Sequence, residues 1–197
     1  MNKFFIGLIA LFSLTACKDD SRASTDQEGN DTKFFPVLSF LKSQAKHIDT
    51  SLYRIVKVET LDTVSATTYI KREDFRTYAK DFLELPDISA GRWKNDYEET
   101  RMFDDALNNV ILTYTTTDQN NEVQREDVLL EPANDGGDSR VKTIIVKTLR
   151  SAGDSTVEKN MVWYVDKRFT VITKIQKAEK SERIQKLEVI WNDFSQD

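Results

Sequence analysis

The stretch VILTYTTT (Val110–Thr117), DQNN (Asp118–Asn121), EVQREDVLL (Glu122–Leu130) decides the fold class. The first run is crowded with β-branched residues, which fit a pleated and half-buried surface. The four polar residues that follow form a strong turn signal, because Asn and Asp hydrogen-bond their own backbone. The third segment returns to strand composition. Together they predict two antiparallel strands joined by a short connection.

The same rhythm extends in both directions. Downstream, Pro132 and Asn134-Asp135-Gly136-Gly137 form a loop before Val141–Leu149, and Ser151-Ala152-Gly153-Asp154 a turn before Val157–Val165. Asp166-Lys167 then turns the chain into Phe169–Lys177, and a last run spans Arg183–Trp191. Upstream, strand character begins near Tyr97. Turns between neighbours, with no helices between, indicate an antiparallel meander. One face of such a sheet packs on a core and the other meets water, in keeping with the interleaved Lys, Glu and Thr.

Before the meander the periodicity changes. Phe34, Leu38, Leu41, Ala45 and Ile48 recur at helical spacing, predicting a helix over 33–48 with Thr32 as N-cap and Pro36 in its first turn. Leu52–Thr60 and Thr63–Ile70 read as strands. Residues 72–85 predict a second helix with Phe75, Tyr78, Ala79, Phe82 and Leu85 on one face, ended by Pro86. Asp87–Trp93 reads as a loop. The expected fold is α+β: a curved antiparallel meander of about six to eight strands against two helices from the N-terminal half. In outline this resembles the half-barrel of lipoprotein carriers, or the helix-on-sheet cones of the cystatin and nuclear-transport-factor kinds.

The start of the chain obeys different rules. Lys3 supplies a positive end, Phe4–Phe12 an apolar run too short to span a bilayer, and Ser13–Ala16 residues that are smaller on average before Cys17, the only cysteine. The box Leu14-Thr15-Ala16-Cys17 resembles the signal of bacterial lipoproteins. That resemblance implies removal of residues 1–16 and acylation of Cys17, with each buried methylene adding about 0.8 kcal/mol of membrane attachment. Lys18-Asp19-Asp20 is similar to the surface-export signal of Bacteroidetes lipoproteins. It implies an outer-membrane address, exposed at the cell surface, with the periplasmic face as the alternative. Residues 17–32 hold only Ala23 as an apolar residue after the cysteine and are expected to form a flexible tether reaching roughly 20 Å. Residues 33–197 are then one globular domain.

Composition limits the chemistry. The 197 residues carry a net charge of −5, and charges of both signs alternate along the strands. A nucleic-acid groove needs a concentrated basic face, so that partner is not expected. The membrane is engaged through the lipid, and an envelope protein is the other expected partner. His47 is the only histidine, at the end of the first helix, where the helix dipole suits it. One histidine cannot build the usual zinc set. Glu98-Glu99 and Asp104-Asp105 flank Arg101, but adjacent strand residues face opposite ways, which disfavours a carboxylate pair. The Asn- and Asp-rich turns lack the spacing of a calcium loop. No catalytic residues, cofactor or metal are expected. Trp163 and Tyr164 are consecutive on a strand and must point to opposite faces. With Trp93 they are the candidates for lining a cavity between helices and sheet. The chain therefore reads as a non-enzymatic binding or accessory module, alternatively as a carrier or sensor of an apolar ligand.

Overall fold

A computed structural model describes residues 34–93, 95–106, 108–133, 138–178 and 180–193. The order is α1 (Val37–Thr50), β1 (Ile55–Leu61), β2 (Val64–Ile70), α2 (Phe75–Tyr78), α3 (Lys80–Leu83), β3 (Tyr97–Asp104), β4 (Asn109–Thr116), β5 (Val123–Glu131), β6 (Arg140–Ala152), β7 (Ser155–Tyr164), β8 (Arg168–Lys177) and β9 (Arg183–Ile190). The strands form one sheet in the order β2-β1-β9-β8-β7-β6-β5-β4-β3. Every pairing is antiparallel. From β3 to β9 each strand pairs with the next in sequence. The β1–β2 hairpin then adds to the far side of β9, with Val56 opposite Ile190. The sheet is open, with β2 and β3 as its edges. Among the described residues nine strands form where the pattern suggested six to eight, and Tyr97–Asp104 is a full partner of β4.

The helices differ from the sequence reading in detail. The first was expected over 33–48 and runs from Val37 to Thr50. Phe35 precedes a proline, which disfavours helical backbone there, so the helix starts after Pro36. Thr32, the expected cap, lies outside the described residues. The helix ends where Ser51 turns extended and both its N–H and its hydroxyl donate to the Ile48 carbonyl. The second helix, expected over 72–85, is broken: a 3-10 turn at Arg72–Asp74, then α2, then α3. Ala79, fully buried, takes φ −83° and ψ 0° at the junction and interrupts the ladder. A further 3-10 turn at Gly91–Trp93 sits in the segment read as a loop.

The cross-strand register shows where the core lies. One row of the inner face runs Val189–Phe169–Trp163–Ile144–Val128 across five strands, all buried. The next runs Val171–Met161–Val146–Glu126–Tyr114. Val37, Leu41, Ala45 and Ile48 of α1 and Phe75 and Phe82 of α2 and α3 cover these rows in one core. At its centre Phe75 meets Trp163 at 6.1 Å and Trp191 at 5.5 Å, nearly perpendicular in both cases, and Phe82 meets Trp163 at 5.2 Å. Such edge-to-face pairs add about 0.5–1.5 kcal/mol each beyond area burial.

Candidate functional site

The cover stops short of the sheet. One step past the buried rows, the inner face continues as Val64–Leu61–Gln185–Thr173–Lys159–Thr148, again across consecutive strands. This row mixes apolar stems with amides, hydroxyls and an amine. It cannot form a dry core under a helix without leaving polar groups unsatisfied. The result is a cleft bounded on one side by Lys80 and Asp81 of α3.

The cleft has two hollows. The larger, about 1060 Å³, lies over β2, β1, β9 and β8, floored by Ala66, Val171, Thr173 and Leu187 and rimmed by Leu61 and Val64. The smaller, about 310 Å³, lies between Glu84, Leu85, Glu122, Arg150, Val157 and Met161. Asp81 and Lys159 line both. Lys159 Nζ lies 2.7 Å from Asp81 Oδ1, an ion pair from β7 to α3 that divides the hollows. In the smaller hollow Arg150 pairs with Glu122 at 2.6 Å. Lys57 pairs with Glu59 at 2.8 Å beside the larger one, and that bond holds the Lys57 amine above its usual range. The larger hollow carries three acids (Glu59, Asp62, Asp81) and three lysines (Lys80, Lys159, Lys186). With charge balanced, apolar contact has to supply affinity there. Its volume is at the upper end for small-molecule sites.

One buried acid stands apart. Glu126 is 1% exposed and lies between Tyr114 and Val146 on the inner face. Its Oε2 has no hydrogen-bond partner among the described residues. Burial, helped by the negative charge of Asp87, pushes its carboxyl up to about 8. Burial likewise pushes the Tyr114 hydroxyl up to about 12, and that hydroxyl accepts the Phe35 N–H at 2.9 Å. Neighbouring Tyr97, also shifted upward by burial, donates to the Val123 carbonyl at 2.7 Å. Glu126 lines neither hollow of the cleft.

The residues singled out from sequence fall elsewhere. Trp163 is fully buried in the aromatic core. Tyr164 points to the opposite face, where the Arg168 guanidinium sits 4.9 Å over its ring. Trp93 packs edge-on to Tyr97 at 6.5 Å, under Arg92. These three are not brought together and none lines the cleft. His47 is exposed in the last turn of α1, 6.2 Å from the Tyr53 ring. Glu98, Glu99, Arg101 and Asp104 are spread along edge strand β3. Cys17 and Lys18, Asp19 and Asp20 lie outside the described residues, as does the turn at 134–137. Among the described residues no cluster of His, Cys, Asp or Glu is arranged to hold a metal, and no helix is long and apolar enough to cross a membrane.

The cleft residues gave little signal in sequence. Thr173 and Leu187 read as ordinary strand positions, Leu61 falls between the two expected strand runs although it ends β1, and only the β1–β9 pairing gathers them. Compared with known proteins, the chain matches no family model, no curated protein and no solved structure.

Proposed function

We propose that this chain is a lipid-anchored envelope protein that binds a small ligand with an extended apolar part, as a carrier or sensor and without catalysis. The anchor is Cys17, acylated after loss of residues 1–16. Lys18-Asp19-Asp20 directs it to the outer membrane and its outer surface, and the tether to residue 32 lets the domain stand away from the lipid. The domain is a curved sheet holding its ligand on the concave side. One observation carries the binding reading: the inner face extends beyond its helical cover and leaves a hollow of about 1060 Å³ rimmed by exposed Leu61 and Val64. The charge balance of that hollow favours an uncharged or weakly charged body over a polyanion or polycation.

The experiment is a titration of the full chain with a fluorescent fatty acid of about sixteen carbons. Saturable binding at one site is expected, weakened at least tenfold by Leu61→Asp, a substitution at an exposed position that the fold tolerates. Binding unaffected by Leu61→Asp, or none at all, overturns the reading. Mass spectrometry of natively purified material tests the anchor separately: acyl chains on an N-terminal Cys17 are expected, and a bare thiol with residues 1–16 attached overturns it.

A further inference from the structure

The two edges of the sheet are built differently. β3 carries Glu98, Glu99, Arg101 and Asp104, charges that discourage an added strand. β2 reads VSATTYI: seven residues without a charge or a proline, paired to β1 with no register shift. Val64 is 72% exposed and Tyr69 is 67% exposed. An open edge of this kind is a template for another strand.

Geometry fixes which groups are free. Leu61 and Val64 flank the two-residue loop Asp62-Thr63, so they form the closing pair that exchanges both backbone hydrogen bonds. Alternation then turns the backbone groups of Val64, Ala66, Thr68 and Ile70 towards β1. Those of Ser65, Thr67 and Tyr69 face outward.

We propose that β2 is the surface through which two copies of this chain pair, antiparallel, about a two-fold axis at Thr67. The strand is complementary to itself in that register. Thr67 faces Thr67 of the second copy and Ser65 faces Tyr69, each as a hydrogen-bonded pair, giving about six backbone bonds. On the inner face Val64 meets Ile70 and Ala66 meets Thr68, apolar or β-branched pairs of the kind that stabilise sheets. The flanks match in charge as well. Asp62 precedes the strand, and Lys71 and Arg72 follow it. Antiparallel pairing sets the acidic end of one copy beside the basic end of the other. The closed two-fold symmetry also uses up the edge, so assembly stops at two. Val64 and Ala66 line the large hollow, so pairing places two hollows side by side along one continuous sheet. A seven-residue strand interface is smaller than a standard one, so the dimer is weak and depends on concentration.

The test uses the full chain in a Cys17→Ser background. Sedimentation equilibrium from micromolar to about millimolar concentration is expected to show the mass rising from 22.7 kDa towards twice that value. Thr67→Lys holds it at one chain. Thr67→Cys is expected to form an intermolecular disulfide at least tenfold faster than Ser65→Cys. On the axis the two Cα atoms lie about 5.5 Å apart, within disulfide reach, whereas the two copies of residue 65 are offset by four residues along the strands, roughly 13 Å. A mixture of Ser65→Cys and Tyr69→Cys chains restores fast crosslinking. A mass that stays at one chain, equal crosslinking at 65 and 67, or a dimer that survives Thr67→Lys overturns the proposal. So does a foreign protein released by Thr67→Lys while the purified chain stays monomeric.

Discussion

Under α2 and α3 the inner face of the sheet is a wall of rings and branched aliphatics. Four residues along the same strands from Val189, Phe169, Trp163 and Ile144 it becomes Gln185, Thr173, Lys159 and Thr148. Both halves share the same backbone ladders and strand pairs, and they differ only in what the side chains ask of water. Val189, Phe169, Trp163 and Ile144 require a lid, and the helices supply it. The polar row does not, and there the helices stop, with Asp81 reaching down to Lys159 at the boundary. The extent of a helical cover is thus set by the side chains of the sheet beneath it. Where the cover ends, a folded protein can keep part of its sheet open.

Four experiments probe this contrast, and the largest effect is expected at the centre of the covered half. Trp163→Ala removes the ring that Phe75, Phe82, Phe169 and Trp191 all touch. It should cost about 3–5 kcal/mol in denaturant unfolding. A loss below about 1 kcal/mol would mean that the covered half is not a packed core.

Glu126 is the exception inside that half, and its effect depends on pH. Its carboxyl is raised in the folded state, so the unfolded chain releases the proton first as pH rises. Stability from this group is full below about pH 4.5, declines as pH climbs, and is lost by about pH 8. Glu126→Gln should therefore be more stable than the parent at pH 8 and nearly equal to it at pH 4. Unfolding midpoints at the two pH values check this; a variant less stable at both would refute the protonated state.

The boundary comes third. Asp81 and Lys159 are each partly exposed, so solvent screens them. A double-mutant cycle through Asp81→Ala and Lys159→Ala should give a coupling of about 0.5–1 kcal/mol. Coupling near zero would reduce the divide between the hollows to a surface contact. The smallest effect belongs to the bare half. Leu61→Ser should change stability by less than about 0.5 kcal/mol while weakening fatty-acid binding. Equal losses at Leu61 and Trp163 would erase the distinction between the halves.

Much of the sheet was readable along the chain. The β4 and β5 runs stand on either side of the Asp118–Asn121 turn, and the Trp163-Tyr164 pair does split between the two faces. These follow from period-two alternation and turn chemistry, which are local. Glu126 was not readable for a definite reason. Counting by twos from Val123 puts Arg125 and Asp127 inside, but a register shift between Val123 and Arg125 turns Glu126 inward. Arg125 and Asp127 instead pair with each other at 2.8 Å. The cleft was hidden because it depends on β1 lying against β9, a contact between residues more than a hundred positions apart. Aromatic residues drew attention to Trp93 and Trp163, yet large rings are most useful where water is absent. That is why Trp163 became the heart of the core.

The β1–β9 seam has a temporal meaning too. A hairpin made early, at residues 55–70, has nowhere to dock until the final strand, residues 183–190, has emerged. Until residues 183–190 are in place, the wall of the cleft is missing as well. Removing them would strand the hairpin and leave β8 as a raw border. Completion of the cleft thereby waits on residues 183–190, whatever the state of the rest of the sheet.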